Sequence, residues 1–182
     1  KYYCKAAENG YSLGEFNYAG MLKSGEGGDD SLERFLELKL ARAYMRKAAD
    51  KGDIDAEHNY ALMLSQSETG DENLELARIY FCRAAEKGNF KAEYNYAVML
   101  EYGEGGDENL EEARKYFFRA AQRRDTEAEY HYAIMLYSGE GGDVLLEEAR
   151  EYFHRAAEKG YTNAEIYYAQ MLYKGEGRPE GS

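Results

Sequence analysis

The side chains best suited to chemistry are few: His58, His131, His154, Cys4, Cys82 and the acidic residues beside the glycine runs. A catalytic centre needs a nucleophile or proton carrier, a base and an orienting group that converge. The three histidines fall in separate segments, and no arrangement of Ser, Cys or Asp recurs around them. Neither an enzyme nor a cofactor is expected, and no residue is assigned a catalytic role. Gly-Glu-Gly-Gly at 103–106 and 139–142 has the glycines of a phosphate loop but no following Lys, and Asp107 and Asp143 add negative charge where phosphate would bind. The related Asp29, Asp71, Asp107 and Asp143 lack the alternating ligands and closing Glu of a calcium loop, so no metal site is expected. They read instead as N-caps of the helices that follow. Cys4 and Cys82 share one register position but lie 78 residues apart. With helix neighbours about 8–10 Å apart, their Cα atoms exceed the roughly 7 Å reach of a disulfide, so they read as free thiols.

Those residues hang on a chain of 182 residues with 23 Lys and Arg against 35 Asp and Glu, a formal charge of -12. That field repels phosphate backbones and anionic lipid, which argues against nucleic acid and direct membrane binding. With 44% hydrophobic residues the chain can bury a core. The 19 tyrosines and 19 glycines, against no tryptophan, point to recurring positions. Ala-Ala recurs at 6, 48, 84, 120 and 156, and Tyr-Ala-x-Met-Leu starts at Tyr18, Tyr60, Tyr96, Tyr132 and Tyr168. Both markers step by 42 residues once and then by 36 three times, which defines a 36-residue unit. The six extra residues fall near 29–38 and lengthen one helix or loop.

Within a unit, 91–102 and 109–122 each space apolar residues at three and four without proline or interior glycine, predicting two amphipathic helices, A and B. Ser12 with Glu15, Thr126 with Glu129 and Thr162 with Glu165 match a capping box opening helix A. Gly10, Gly52, Gly88 and Gly160 fit the left-handed position after helix B, and Arg124 breaks that column. The tyrosine columns 18/60/96/132/168 and 2/44/80/116/152 read as packing, with hydroxyls reaching solvent or backbone. Lys5, Lys47, Arg83 and Arg155 lie three residues before an acid and read as a solvated i,i+3 face, while Glu15/57/93/129/165 read as first-turn partners of the helix dipole that could also pair between helices. About ten helices in B-A order cannot each cover their own apolar stripe, so the units must stack.

The run Ala-x-x-x-Tyr-Ala-x-x-Leu-x-x-Gly-x-Gly, followed by Ala-x-x-Tyr-Phe-x-Arg-Ala-Ala-x-x-Gly, resembles the Sel1-like repeat, a branch of the tetratricopeptide-like solenoids. Tyr-Ala-x-x-Leu replaces the family's Leu-Gly-x-x-Tyr, and the second unit lacks the glycine loop. The resemblance implies an all-α, right-handed solenoid of about five stacked hairpins over residues 1–182, a single array and a fragment of a longer protein. It further implies a protein-interaction scaffold or adaptor. Secreted members resemble a pattern with two cysteines in every unit, so two thiols in all point to a cytoplasmic, reducing setting.

In tetratricopeptide-like solenoids the A helices line a concave groove, and the matching positions here are Phe16, His58, Tyr94, Tyr130 and Ile166, then Gly20, Leu62, Val98, Ile134 and Gln170. Between them run Asn17, Asn59, Asn95, His131 and Tyr167. Apolar and aromatic residues beside a row of amides suit a peptide or helix of a partner protein, with amides bonding its backbone and rings covering its anchors. The expected partner carries spaced hydrophobic anchors and a neutral or basic flank. Self-association of a structural module is the rival reading.

Overall fold

The structure is a computed structural model that describes residues 2–24, 31–66 and 73–178. Among these residues lie ten α-helices and no strand: α1 (Tyr2–Glu8), α2 (Ser12–Ser24), α3 (Ser31–Asp50), α4 (Ile54–Ser65), α5 (Leu74–Glu86), α6 (Phe90–Tyr102), α7 (Leu110–Gln122), α8 (Thr126–Ser138), α9 (Leu146–Glu158) and α10 (Thr162–Lys174). They fall into two compact units, residues 1–89 and 90–182. Within the first, each helix from α1 to α5 packs on the next in sequence, and within the second the same holds from α6 to α10. Helix α3 is 20 residues long where the other complete B helices are 13, the lengthening lying at its N-terminal end.

The Ala-Ala marker has a double physical basis. Ala84 and Ala85, like Ala120 and Ala121, are fully buried, which lets two backbones approach closely. Their carbonyls also close the helix: Gly88 N–H donates to Ala85 O at 3.0 Å and Asn89 N–H to Ala84 O at 3.0 Å, the paired bonds of a Schellman turn. That turn needs positive φ, found at 88° for Gly88 and at 67° for Arg124, where Arg124 N–H donates to Ala121 O and Asp125 N–H to Ala120 O. A non-glycine residue there costs about 1 kcal/mol.

The caps differ from the sequence reading. Helix α8 is capped by Asp125, whose carboxylate accepts from Ala128 N–H at 2.9 Å, so Thr126 is already its first helical residue and Glu129 points elsewhere. Helix α4 is capped in the same way by Asp53, and α10 opens at Tyr161 with no side-chain cap, which leaves Thr162 inside the helix. Ser12, in turn, donates from its hydroxyl to Asp53 at 3.4 Å. The B helices α5 and α7 are capped by Asn73 and Asn109, and α9 starts at Leu145 without a side-chain cap. Asp107 and Asp143 lie two residues too early to be caps, and Asp29 and Asp71 lie outside the described residues.

The glycine loops are spacers that let one repeat press on the one before. A Cβ at Gly141, where φ is +68°, would run into the Leu110 carbonyl at the start of α7, and one at Gly177 would meet that of Leu146 at the start of α9. Arg114 then clamps the loop, donating to the Asp143 carbonyl at 2.9 Å and the Glu140 carbonyl at 3.5 Å. Gly141→Ala is therefore expected to cost about 2 kcal/mol, from the strained φ and a backbone clash that no rotamer relieves. Urea unfolding checks it, and an unchanged midpoint would mean the loop backs away freely.

Candidate functional site

The A helices carry the proposed binding residues, and they are supported from beneath by aromatic side chains of the B helices. In the second unit Phe117 and Phe153 are fully buried. His131 lies flat on Phe117, with centroids 5.0 Å apart and planes 12° from parallel, and Tyr167 lies flat on Phe153 at 5.0 Å and 8°. Tyr94 meets Phe117 and His131 at 5.8 Å, Tyr130 meets His131 at 5.5 Å, and Tyr130 meets Tyr167 at 6.1 Å. The structure thus brings Tyr94, His131, Tyr130 and Tyr167 into one chain of rings across α6, α8 and α10. All four are half-buried. Burial, reinforced by the charges of Glu127, Asp125 and Glu101, raises the Tyr94 hydroxyl well above the ordinary tyrosine value. It therefore offers a neutral donor rather than an anion.

Val98 and Ile134 are half-buried on the same helices, whereas Ile166 and Gln170 on α10 are exposed. In the first unit Phe16 and Leu62 are half-buried and Gly20 is exposed. His58 is buried at 7% exposure with its ring 5.8 Å from Phe81, so it serves as packing. The amides Asn17, Asn59 and Asn95 each donate to the carbonyl four residues earlier, Leu13, Asp55 and Lys91, at 2.7 Å. Their burial is therefore satisfied by their own helices, and a row of amides does not require a ligand. Sequence reasoning overlooked Tyr137 and Tyr161, which join the same cluster, Tyr161 at 4.9 Å from Tyr130 and Tyr137 at 6.2 Å from Tyr167. It also overlooked the phenylalanines below, although Phe81, Phe117 and Phe153 repeat at 36 residues in the sequence.

A second set of residues ties each A helix to the B helix that follows it. Glu57, Glu93 and Glu129 are buried at no more than 1% exposure, one turn into their A helices. Glu57 meets Arg83 at 2.7 Å and Lys87 at 2.8 Å, Glu93 meets Arg119 at 2.7 Å, and Glu129 meets Arg155 and Lys159 at 2.6 Å each. Glu15 is held by Lys51 at 2.6 Å. Every cation comes from the following B helix or its C-terminal turn. This corrects the reading of Arg83 and Arg155 as a solvated i,i+3 face, since both reach across to a buried carboxylate. The same arginines lie over Tyr80 and Tyr152, with guanidinium carbons 5.0 and 4.6 Å from the ring centres.

The tyrosine columns interlock edge to face: Tyr18 with Tyr44 at 5.3 Å, and Tyr60 with Tyr80, Tyr96 with Tyr116 and Tyr132 with Tyr152 at 4.9 Å each. Their hydroxyls find side-chain acids as well as solvent, Tyr80 donating to Asp50 at 2.6 Å and Tyr132 to Glu148 at 3.1 Å. Burial and the Asp50 bond push the Tyr80 hydroxyl up to about 12. The side chain of Tyr2 lies outside the described residues. Cys4 and Cys82 form no disulfide. Among the described residues no group of three or more His, Cys, Asp or Glu is placed to hold a metal ion, and no helix is long and apolar enough to cross a membrane.

The model of the Sel1 repeat matches residues 1–11, 13–53, 54–89, 90–125 and 126–161, nearly the whole chain and in register with the 36-residue unit. The chain belongs to the Sel1 repeat family. Sel1 repeat proteins are generally non-catalytic scaffolds for protein interaction. A Sel1 repeat protein from Oxalobacter formigenes has a similar structure, with 24% identity and a TM-score of 0.82 over 94% of this chain and 68% of that one. The protective antigen c5321 of uropathogenic Escherichia coli, with an SLR fold, aligns at 24% identity and a TM-score of 0.83 over 97% of this chain but only 37% of its own length. Helicobacter pylori cysteine rich protein B aligns at 20% identity and a TM-score of 0.55 over 76% of this chain and 97% of its own. At these identities the likeness establishes the helical solenoid fold of this Sel1 array. No curated protein matches the chain.

Proposed function

We propose that the A-helix face of this Sel1 array holds a segment of a partner protein that carries spaced hydrophobic anchors and a neutral or basic flank. The observation that supports it is the run of half-buried rings Tyr94, His131, Tyr130 and Tyr167, each in contact with Phe117 or Phe153 below it, with Val98 and Ile134 beside them. Half-buried aromatic residues on a rigid base give large contact area at little entropic cost, which is the make-up of a binding hot spot. Gln170 adds to this face in the second unit, and in the first unit, taken by itself, Phe16, Asn17, Asn59 and Leu62 are the corresponding A-helix positions, with His58 packed beneath them. An amide has two N–H groups and a carbonyl, so at Asn17 and Asn59 one bond to the helix leaves capacity for a peptide backbone. Affinity on such a face comes from apolar anchors, and the chain's acidic charge mainly sets the approach rate.

The test starts with a partner captured from the native source and compares the wild type with Tyr94→Ala plus Asn95→Ala by titration. A loss of affinity of about tenfold or more, with the complex surviving a rise in salt from about 0.05 to about 0.5 M, is expected. Undiminished affinity in the double variant removes the rings from the interface.

A further inference from the structure

Two residues of the second unit break their repeat columns, and they meet. His131 takes the position that Asn17, Asn59 and Asn95 hold in earlier repeats, and Glu101 takes the one held elsewhere by Lys23, Ser65, Tyr137 and Tyr173. The asparagines bond back to their own helices. The imidazole instead lies flat on Phe117 with its Nδ1 3.5 Å from Glu101 Oε2.

Glu101 is short of a cation. Its side chain is 11% exposed, and its Oε2 is closed off from solvent with no hydrogen bond. The other buried glutamates of this unit, Glu93 and Glu129, are met at 2.6–2.7 Å by arginine or lysine of the following B helix or its C-terminal turn. Among the described residues Glu101 has His131, which is charged only when protonated. Lys91 of α6 lies ten residues back, about 15 Å along the helix and beside the Phe90 ring, and α8 carries neither lysine nor arginine. A carboxylate held out of water without a full cation is costly, and a charge brought from outside relieves it.

The surroundings suit such a charge. Tyr94, Val98 and Glu101 follow one another at four and three residues, along one side of α6. Tyr94 and Tyr130 meet the imidazole at 5.8 and 5.5 Å, and aromatic faces attract cations. Asp125 and Glu127 at the start of α8 add negative charge at Tyr94.

Resting on the A-helix face as the binding surface, we propose that Glu101 receives a basic side chain, lysine or arginine, of the partner segment, flanked by the rings of Tyr94, Tyr130 and His131. The basic residue then sits within the apolar face and fixes the register of the segment. From Tyr94 to Glu101 is about 10 Å along the helix, which is three residues of extended peptide at about 3.3 Å each. An apolar anchor over Tyr94 therefore lies three residues from the basic one.

The experiment is fluorescence anisotropy of the full chain with a dye-labelled peptide in which leucines stand three residues to either side of one arginine. Matched peptides replace that arginine with lysine or with citrulline, its uncharged isostere. At least one of the two basic peptides is expected to bind about tenfold tighter than the citrulline one, and the tighter of them names the head group. Glu101→Gln is expected to erase that difference, with citrulline-peptide binding and the urea midpoint unchanged. Glu147→Gln, the same change of charge at an exposed position of α9, leaves the difference in place. Glu101→Ser, which installs the residue that α4 carries at 65, serves if the glutamine variant loses stability. Equal binding of the basic and citrulline peptides, a difference that survives at Glu101→Gln or an equal loss in Glu147→Gln overturns the cation site. In those cases a citrulline peptide still weakened by Tyr94→Ala shows that the A-helix face binds without it. Binding of no peptide, or binding indifferent to Tyr94→Ala, removes both readings.

Discussion

Phe153→Ala is expected to lower the unfolding free energy by about 3–5 kcal/mol, the cost of emptying a fully buried aromatic site that the surrounding structure cannot close. The ring is wholly buried and has Tyr167 stacked on it, with Tyr130 at 6.1 Å and Tyr137 at 6.4 Å. Two of the rings offered to a partner, Tyr130 and Tyr167, therefore rest on this one residue. Affinity for a captured partner is expected to fall along with stability, because Tyr130 and Tyr167 lose the surface that orients them. Phe153→Leu keeps most of the volume and costs about 1 kcal/mol, so it separates a loss of ring support from loss of the fold. Urea unfolding measures the first effect and titration the second. A Phe153→Ala chain with an unchanged midpoint would show that the site collapses without cost.

The second large effect concerns the ties between the two helices of a hairpin. Arg155→Met with Lys159→Met leaves Glu129 fully buried with neither of its cations, and a loss of about 3 kcal/mol is expected. The penalty belongs to the stranded carboxylate rather than to the missing attraction. Adding Glu129→Leu to the double variant is therefore expected to recover most of the loss, since a well-packed apolar replacement of a buried ion set is often neutral. The urea midpoints of the three chains decide it. If the triple variant is as unstable as the double, the arginine and lysine stems stabilise mainly by covering Tyr152 and the helix surface.

The repeat, the helix pairs and the left-handed glycine turns were legible because each depends on residues close in sequence. Ala84, Ala85 and Gly88 act within one turn, and Tyr60 and Tyr80 lie on helices of the same hairpin. The buried glutamates were only partly legible, for the opposite reason: pairing between helices was one of two readings, without the partners. Glu57 has the right position for a first-turn dipole partner, and nothing nearby reveals that Arg83 and Lys87 arrive from 26 and 30 residues away. The capping boxes failed on a single residue of offset: Asp125 takes the cap, and Thr126 and Glu129 are freed from it. The binding face was legible as a set of positions but not as a surface. Tyr94, Tyr130 and Tyr167 follow from the period, whereas the stacking that fixes them depends on Phe117 and Phe153 of the neighbouring helices.

The edge-to-face tyrosine ladder also has an optical consequence. With no tryptophan in the chain, its near-ultraviolet emission comes from tyrosine alone. Rings held 4.9–5.3 Å apart exchange excitation before they emit, and a phenol bonded to a carboxylate, as Tyr80 is to Asp50, loses its excited-state proton to that acid. The folded array is therefore expected to be dim, and a repeat that opens to brighten as its rings part from one another and from their acids. The molecule carries its own probe of unfolding, repeat by repeat, without an added dye.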